Sequence, residues 1–430
     1  MTKKMKIKDF KDSKVFCPAP FVHFFVHSSD VPKPCCAAEI YDTWKTPKVV
    51  RGLRDEWESY HYTELRQAMI DGKKSDICKR CYAGEETGGI SDRINMFDQY
   101  MRVTPDLEIN IENGNEYGSP LDLDLRPGNL CNLQCRMCGP ASSSQFNKEV
   151  KKNTKLINFI EPFDEEFESV WASNRNLEFL LENIDKGIKR IKFLGGEPTI
   201  MPEVDRIMDY LIEHNKTDIQ LFFTSNLTNT NNKFLDKISQ FESVMFNLSM
   251  DGVGKTLEYI RYPVNWYSLQ KNLSKIAQLP NVVRRIDISF TLQAYNLHNL
   301  KDTLIWVAEY NERASKSRPK SRLCISPENL THPSHFSYRS LPKNYRDNII
   351  RDIMSSDVYQ HHEHHVTHKL QSRLEFILND DEEYNMFNFA DATFRLDWSR
   401  QQHIKDSIPE LWEVIEPYYN AAKRRYVRKS

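Results

Sequence analysis

Residues 121–138, LDLDLRPGNLCNLQCRMC, hold the strand and loop from which the rest of this chain is read. Residues 121–125 alternate apolar and acidic side chains, the two-residue period of a strand, and Pro127-Gly128 closes it in a turn. Cys131, Cys135 and Cys138 then put three thiols within eight residues. A cubane 4Fe–4S cluster has four iron corners, each taking one further ligand, so three thiolates on one loop hold three corners and leave one open. An open iron binds a small chelating ligand, as the vacant position of a catalytic zinc does. Spacing alone leaves two alternatives: a structural zinc with its fourth ligand elsewhere, and thiols that share no metal.

Working outward, strand patterns recur at 188–194, 219–225, 244–250 and 285–292, with helical patterns at 201–214, 255–263 and 296–313. Strands alternating with helices predict an α/β fold whose parallel strands are joined by right-handed crossovers. Such sheets place their ligands at the carboxyl ends of the strands. The polar clusters fall there: Cys131 after the first strand, Gly195-Gly196-Glu197 after the second, Thr224-Ser225-Asn226 after the third, Ser249-Met250-Asp251-Gly252 after the fourth. Residues 326–430 read as mainly helical.

Upstream, FVHFFVH at 21–27 alternates like a strand, with Pro32 and Pro34 supplying a turn, and Trp57–Met69 turns helical before Asp71-Gly72. This is too little to bury a core alone, so metal ligation is expected to stabilise it. Cys17, Cys35 or Cys36, Cys78 and Cys81 form a second group of thiols there. Zinc and iron–sulfur both suit four thiolates. A thioredoxin-like pair is disfavoured, because no strand-to-helix setting precedes Cys78.

A formal net charge of −1 gives no global footprint for nucleic acid, although Lys3, Lys4, Lys6 and Lys8 at one end and Lys423, Arg424, Arg425, Arg428 and Lys429 at the other are basic. No apolar run reaches the roughly 18–20 residues of a membrane span, and the lysine-bearing start lacks a secretory apolar stretch. A cytoplasmic location is expected, and with it reduced thiols rather than disulfides.

The loop Cys131-x₃-Cys135-x₂-Cys138 after one strand and Gly195-Gly196-Glu197-Pro198 after the next resemble the radical S-adenosylmethionine (radical SAM) superfamily. Cys17-Pro18, Pro34-Cys35-Cys36 and Cys78-x₂-Cys81 look like the auxiliary-cluster pattern of its SPASM- and twitch-type members. Here that module precedes the core, whereas in most relatives it follows. The resemblance implies a partial (βα)6 barrel at 106–325, a twitch-like module at 1–105 and a helical C-terminal extension at 326–430. It implies a 4Fe–4S cluster on Cys131, Cys135 and Cys138 whose open corner chelates S-adenosylmethionine. An auxiliary cluster, also 4Fe–4S, is implied on Cys17, Cys35, Cys78 and Cys81, the first cysteine of the Cys-Cys step being the usual ligand. A small electron donor such as flavodoxin or ferredoxin is the expected partner.

By the same resemblance Gly195 and Gly196 give the cofactor close backbone approach, and Glu197 accepts from its methionyl ammonium. By their place at the strand ends, Ser225 and Asn226 are candidates to meet the ribose, with Ser249 and Asp251 in the equivalent place one strand on, Arg261 a candidate partner of the methionyl carboxylate and Asn296 a candidate contact to adenine. Blander roles stand beside these. Glu197 can cap the helix that follows, Asp251-Gly252 can be a turn, Arg261 a solvated helix residue, and Asn296 the cap of a helix at 296–313.

Other features carry weaker signals. His361, His364, His365 and His368 share a helical face but lack His-Glu-x-x-His order, so a solvated helix is expected. His23 and His27 are expected to pack, and Cys324 to be buried and inert. Arg395, Asp397 and Arg400 are expected to form surface ion pairs. The expected function is radical chemistry on a peptide or small molecule. A nucleoside or nucleic-acid substrate is the alternative, and a metal-stabilised scaffold or zinc-binding adaptor is the non-catalytic rival.

Overall fold

The computed structural model describes residues 4–27, 33–39, 57–86, 91–103, 106, 108–110, 120–154, 157–163, 180–181, 184, 187–279, 283–317, 322–360 and 367–427. Strands β1 (Lys4–Lys6) and β3 (Glu108–Asn110) form an antiparallel pair. β2 (His23–His27), β4 (Asp122–Arg126), β5 (Arg190–Phe193), β6 (Gln220–Ser225), β7 (Val244–Ser249), β8 (Val283–Leu292) and β9 (Leu323–Asn329) line up in that order in one seven-stranded sheet. The pairs β2–β4, β4–β5, β7–β8 and β8–β9 are parallel. Helices at Pro202–Glu213, Asn232–Ile238, Gly254–Ile260, Trp266–Ala277 and Leu300–Ser317 separate the strands from β5 onward. The fold is the expected α/β partial barrel, with β4 to β9 as its six strands and a helical C-terminal region.

Two details differ from the sequence reading. The strand expected at 21–27 begins only at His23, because Ala19–Val22 is a helical turn. Pro18 and Pro20 explain this, since their fixed φ suits a helix start. The helix expected at 296–313 begins at Leu300 instead.

The chain forms two compact units: Met1–Gly128 with Asp164–Gly195 and Pro202–Leu221, and Asn129–Phe163 with Gly196–Met201 and Phe222–Ser430. In the first, Phe10 stacks on Phe16 at 3.9 Å and Phe16 on Phe21 at 5.3 Å. Cys17 lies within this apolar cluster, and Cys35 and Cys78 pack against it. In the second, β7 buries Val244, Phe246 and Leu248 and leaves Met245, Asn247 and Ser249 half-buried, the alternation of a strand with one apolar face. Its C-terminal helices Met386–Arg400 and Pro409–Val427 pack through Phe394 and Tyr419, 5.5 Å apart edge to face. Among the described residues no helix is long and apolar enough to cross a membrane.

Candidate iron–sulfur and S-adenosylmethionine site

The loop after β4 is fixed largely by its own backbone. Leu133 N–H donates to Cys131 Sγ at 3.4 Å, and the Ser143 hydroxyl, which caps the helix Ser144–Lys152, donates to Leu133 O at 2.5 Å. Gln134 N and Arg136 N donate to Tyr262 O and Ile260 O at 2.6 and 2.8 Å. Cys131 and Cys135 are buried and Cys138 half-buried. Burial, then the neighbouring Cys135, pushes the Cys131 thiol up to about 12. Cys135 is brought down to about 7 by the Cys138 S–H, against burial and with help from the Arg261 guanidinium. The three sulfurs therefore sense one another, and Cys135 is the one drawn towards the thiolate while Cys138 is pushed away from it.

Glu197, at the carboxyl end of β5, gathers the neighbouring strand end around itself. It is fully buried and accepts from Thr199 N and Oγ1 at 3.2 and 2.6 Å, Ser225 Oγ at 2.7 Å and Asn226 N at 2.7 Å. Burial raises its carboxyl above the ordinary range, against the pull of these donors. Asn226 Nδ2 donates to Asn132 Oδ1 at 3.1 Å and lies 4.0 Å from Cys131 Sγ, so the β6 end touches the cysteine loop. Gly196 permits this closeness, since a Cβ there would sit 2.6 Å from Asn129 O and closer still to Leu130 O. The loop backbone itself makes that approach, and Glu197 N donates to Leu130 O at 2.8 Å. Gly195 has a φ of +117°, a conformation that suits glycine.

Beyond β7, Asp251 is fully buried, accepts from Thr291 N at 2.7 Å and pairs with Arg261 Nε at 2.7 Å. Arg261 Nη1 lies 3.8 Å from Cys135 Sγ, so it is no solvated helix residue but a cation between a carboxylate and a cysteine sulfur. Ser249 ends β7 opposite Ser289. Asn296 is occupied within the chain: its Nδ2 donates to Asp251 O and Thr291 O at 3.1 and 2.8 Å, and its Oδ1 accepts from Gln293 N at 2.9 Å. It closes a turn rather than capping the helix at Leu300. Gln293, which the sequence did not single out, is fully buried with its Oε1 unpartnered.

The first unit holds the other thiols. Electrostatic influence links Cys17 to Cys78 and Cys81, Cys35 to Cys17, its neighbour Cys36 and Cys78, and Cys78 to Cys81, so Cys17, Cys35, Cys78 and Cys81 come near one another from three segments. Cys36 is exposed, and the charges acting on it are Asp92, Lys192, Asp124 and Arg126. Lys33 pairs with Phe25 through two backbone hydrogen bonds of 2.8 and 2.9 Å, an antiparallel bridge two residues ahead of Cys35. Backbone N–H groups of Ala19, Ala37 and Arg93 face Cys17, Cys35 and Cys81. Burial raises all four thiols, Cys78 to about 12 with Cys81 as the next cause. Four desolvated thiols, three of them facing amide donors, fit a metal centre, which would offset the cost of holding them as thiolates. Among the described residues no three His, Cys, Asp or Glu side chains converge on a single ion, whereas a cubane spreads its ligands over separate corners.

Several minor expectations change. Asp397 and Arg400 are buried, pairing with Arg136 and Glu149, because their helix packs into the second unit rather than facing water. Arg395 pairs with Asp391 at 2.8 Å and is half-buried. Cys324 is half-buried, on the polar side of β9. His23 is buried with Nδ1 2.8 Å from Pro34 O, a packed histidine as expected. His361, His364 and His365 lie outside the described residues, and His368 opens the helix His368–Leu378. Thr199 and Arg136 escaped the sequence reading. Thr199 was findable as the second residue after a capping glutamate. Arg136 was not, since its partners are more than 100 positions away.

Compared with known proteins, residues 125–306 match the family described as the Radical SAM superfamily. The chain is 30% identical over 96 residues to a GTP 3',8-cyclase of Helicobacter pylori, covering 22% of this chain and 24% of that protein. It is 30% identical over 112 residues to a GTP 3',8-cyclase of Campylobacter curvus, covering 26% and 29%. It thus spans about a quarter of the length of the curated relatives it matches. Among solved structures it is similar to Streptococcus suis SuiB bound to S-adenosylmethionine, at 12% identity and a TM-score of 0.33, covering 70% of this chain and 59% of that one. It is also similar to native anSMEcpe with bound AdoMet, at 16% identity and a TM-score of 0.34, covering 64% and 67%. The segment that matches the Radical SAM superfamily, residues 125–306, contains the cysteine loop and the Glu197 hub.

Proposed function

We propose that the chain is an enzyme that cleaves S-adenosylmethionine reductively and abstracts hydrogen from a peptide or small-molecule substrate. When bound, a 4Fe–4S cluster with one open corner would supply the electron that breaks the sulfonium and yields the 5′-deoxyadenosyl radical. The chain's own residues bind and orient. Cys131, Cys135 and Cys138 would hold three iron corners, while Glu197, with Ser225 and Asn226 locked to it, offers carboxylate oxygens for an ammonium group. Arg261, paired with Asp251, offers its remaining N–H groups to a carboxylate or to the Cys135 sulfur. The observation that carries the reading is the meeting of Asn226 with Asn132 at 3.1 Å, which ties the Glu197 hub to the cysteine loop.

Cys17, Cys35, Cys78 and Cys81 would hold an auxiliary centre in the module at 1–105, ahead of the core at 106–325. Four thiolates leave that centre closed, which suits electron transfer or structure better than substrate ligation. A nucleotide substrate is the second reading, and the matched segments of the GTP 3',8-cyclases favour it. A flavodoxin- or ferredoxin-like protein would donate the electron.

Anaerobic reconstitution tests the proposal. About eight irons per chain and 5′-deoxyadenosine released under dithionite are expected. Zinc retention with no cleavage product would refute it and favour the scaffold. Release of 5′-deoxyadenosine accelerated by nucleotides, and not by peptides, would move the substrate to the second reading.

A further inference from the structure

Arg136 is the one charged residue between Cys131 and Cys138, and its side chain is fully buried. Nε donates to Tyr259 O at 3.0 Å, and Nη2 donates to Asp397 Oδ1 at 2.6 Å and to Gln402 Oε1 at 3.0 Å. Its guanidinium lies over the Tyr259 ring, 3.6 Å from the centroid. Asp397 accepts in addition from Tyr259 Oη at 2.7 Å, Ile404 N at 2.9 Å and Tyr419 Oη at 3.1 Å. One turn further along the same helix, Arg400 forks onto Glu149 with bonds of 2.8–3.2 Å, and Ser399 Oγ donates to Glu149 at 2.8 Å. Glu149 belongs to the helix Ser144–Lys152 that follows the cysteine loop. The helix Met386–Arg400 therefore grips the loop at Arg136 and the element after it at Glu149.

We infer that this C-terminal helix is a clamp on the cysteine loop, with Arg136 and Asp397 as positioning residues that hold Cys131, Cys135 and Cys138 in the shape that receives iron. Two properties argue for positioning rather than bulk stability. A buried ion pair is often no more stabilising than apolar side chains of the same volume, because both charges lose water. What it supplies instead is direction, through a planar fork that meets its acceptors at fixed angles. Arg136 also bonds from within the cysteine loop, and between Arg136 and Cys135 there is no intervening residue to absorb movement. The clamp rests on the proposed function only where iron is concerned, since the shape of the loop can be measured without metal.

The test uses the full chain. The double variant Arg136→Met/Asp397→Asn removes both charges, so that neither is left buried alone, and Arg136→Lys keeps the charge without the fork. In metal-free, reduced protein, the alkylation rate of Cys135 by iodoacetamide is read by mass spectrometry against that of Cys17 in the same molecules. Both thiols are buried; Cys17 reports opening of the first unit, and Cys324, half-buried in the second, reports general opening there and is expected to stay unchanged as well. The double variant is expected to alkylate Cys135 about tenfold faster or more with Cys17 unchanged, a local opening, and Arg136→Lys to fall between. An unchanged Cys135, or Cys135 rising together with Cys17 or Cys324, overturns the clamp. In reconstituted protein, the change in electron paramagnetic resonance on adding S-adenosylmethionine is expected to be present in the parent and weakened in the double variant. Its absence from the parent would refute the proposed function and leave the clamp to the alkylation result.

Discussion

In the second unit three cysteines arrive on one loop of eight residues, whereas in the first unit four arrive from three segments, at Cys17, at Cys35 and at the pair Cys78 and Cys81. The loop site is made locally and then braced from far along the chain, by Arg261 at Cys135 and by Asp397 behind Arg136. The other site exists only once its unit has folded. Arg93 bonds Phe16 O at 2.9 Å and pairs with Glu85 at 2.6 Å, which joins the chain beside Cys17 to the helix bearing Cys81. A site braced at its edges can give up a position to a ligand. The thiols of the first unit instead lie in or against an apolar cluster, with Cys17 and Cys81 buried and Cys35 and Cys78 half-buried.

The largest effect should fall on the loop. Cys135→Ala removes the sulfur 3.8 Å from Arg261 and would leave two thiolates for the cubane. Release of 5′-deoxyadenosine should drop below detection while iron in the first unit persists, as iron analysis and product chromatography would show. Full activity in that variant would dissolve the contrast between the two sites. Glu197→Gln should act next most strongly. The amide has only one acceptor oxygen where four donors now converge on two, and it lacks the charge that an ammonium group would meet. Affinity for S-adenosylmethionine should weaken by about 10- to 100-fold, the worth of one or two charge-assisted hydrogen bonds. Equilibrium dialysis measures it, and unchanged binding would leave Glu197 as a helix cap alone.

The loop site was legible in the sequence because its parts are short-range: a strand period, a turn and three cysteines, followed by polar clusters at successive strand ends. Glu197, Ser225, Asn226 and Asp251 were found by position in an alternating pattern, and the fold does bring Glu197, Ser225 and Asn226 together. What the sequence left out are contacts without period or proximity. Arg136 and Asp397 lie 261 positions apart, so neither carries a local sign of the other. Asn296 reads from the sequence as a ligand-facing amide, but both its N–H donors go to the backbone carbonyls of Asp251 and Thr291, contacts that only the turn at 291–296 reveals. The start of β2 was misplaced because alternation in FVHFFVH outweighed the two prolines before it.

The Cys35–Cys36 step offers a finer test of the first unit. Cys81→Ala should reduce iron by about half, to near four atoms per chain, and leave the loop's response to S-adenosylmethionine in place. Cys36→Ala should change neither iron content nor spectrum, because Cys36 is exposed and acted on by Asp92 and Lys192 rather than by Cys17, Cys78 or Cys81. Loss of iron in the Cys36 variant alone would exchange the ligand assignment at this step.

A milder effect than the loss of a ligand should follow from weakening the support of the first unit rather than its sulfurs. Asp122 is buried on β4, where it accepts from Tyr100 Oη at 2.7 Å and from Arg190 Nε at 2.8 Å. Burial raises its carboxyl, but the Arg190 guanidinium outweighs that and holds it below the ordinary range. An acid whose folded pKa is depressed stabilises fully above its unfolded value of about 3.9, and that stability is lost as pH falls through the lower folded value. Asp122→Asn should therefore cost about 1–3 kcal/mol near neutrality. It should cost progressively less as acid protonates the parent, so the two melting curves converge at low pH. Since Tyr100 belongs to the same apolar cluster as Cys17, the variant should also lose first-unit iron at a lower temperature than loop iron. A variant that released both together would mean that the two sites, though differently built, share one cooperative fold.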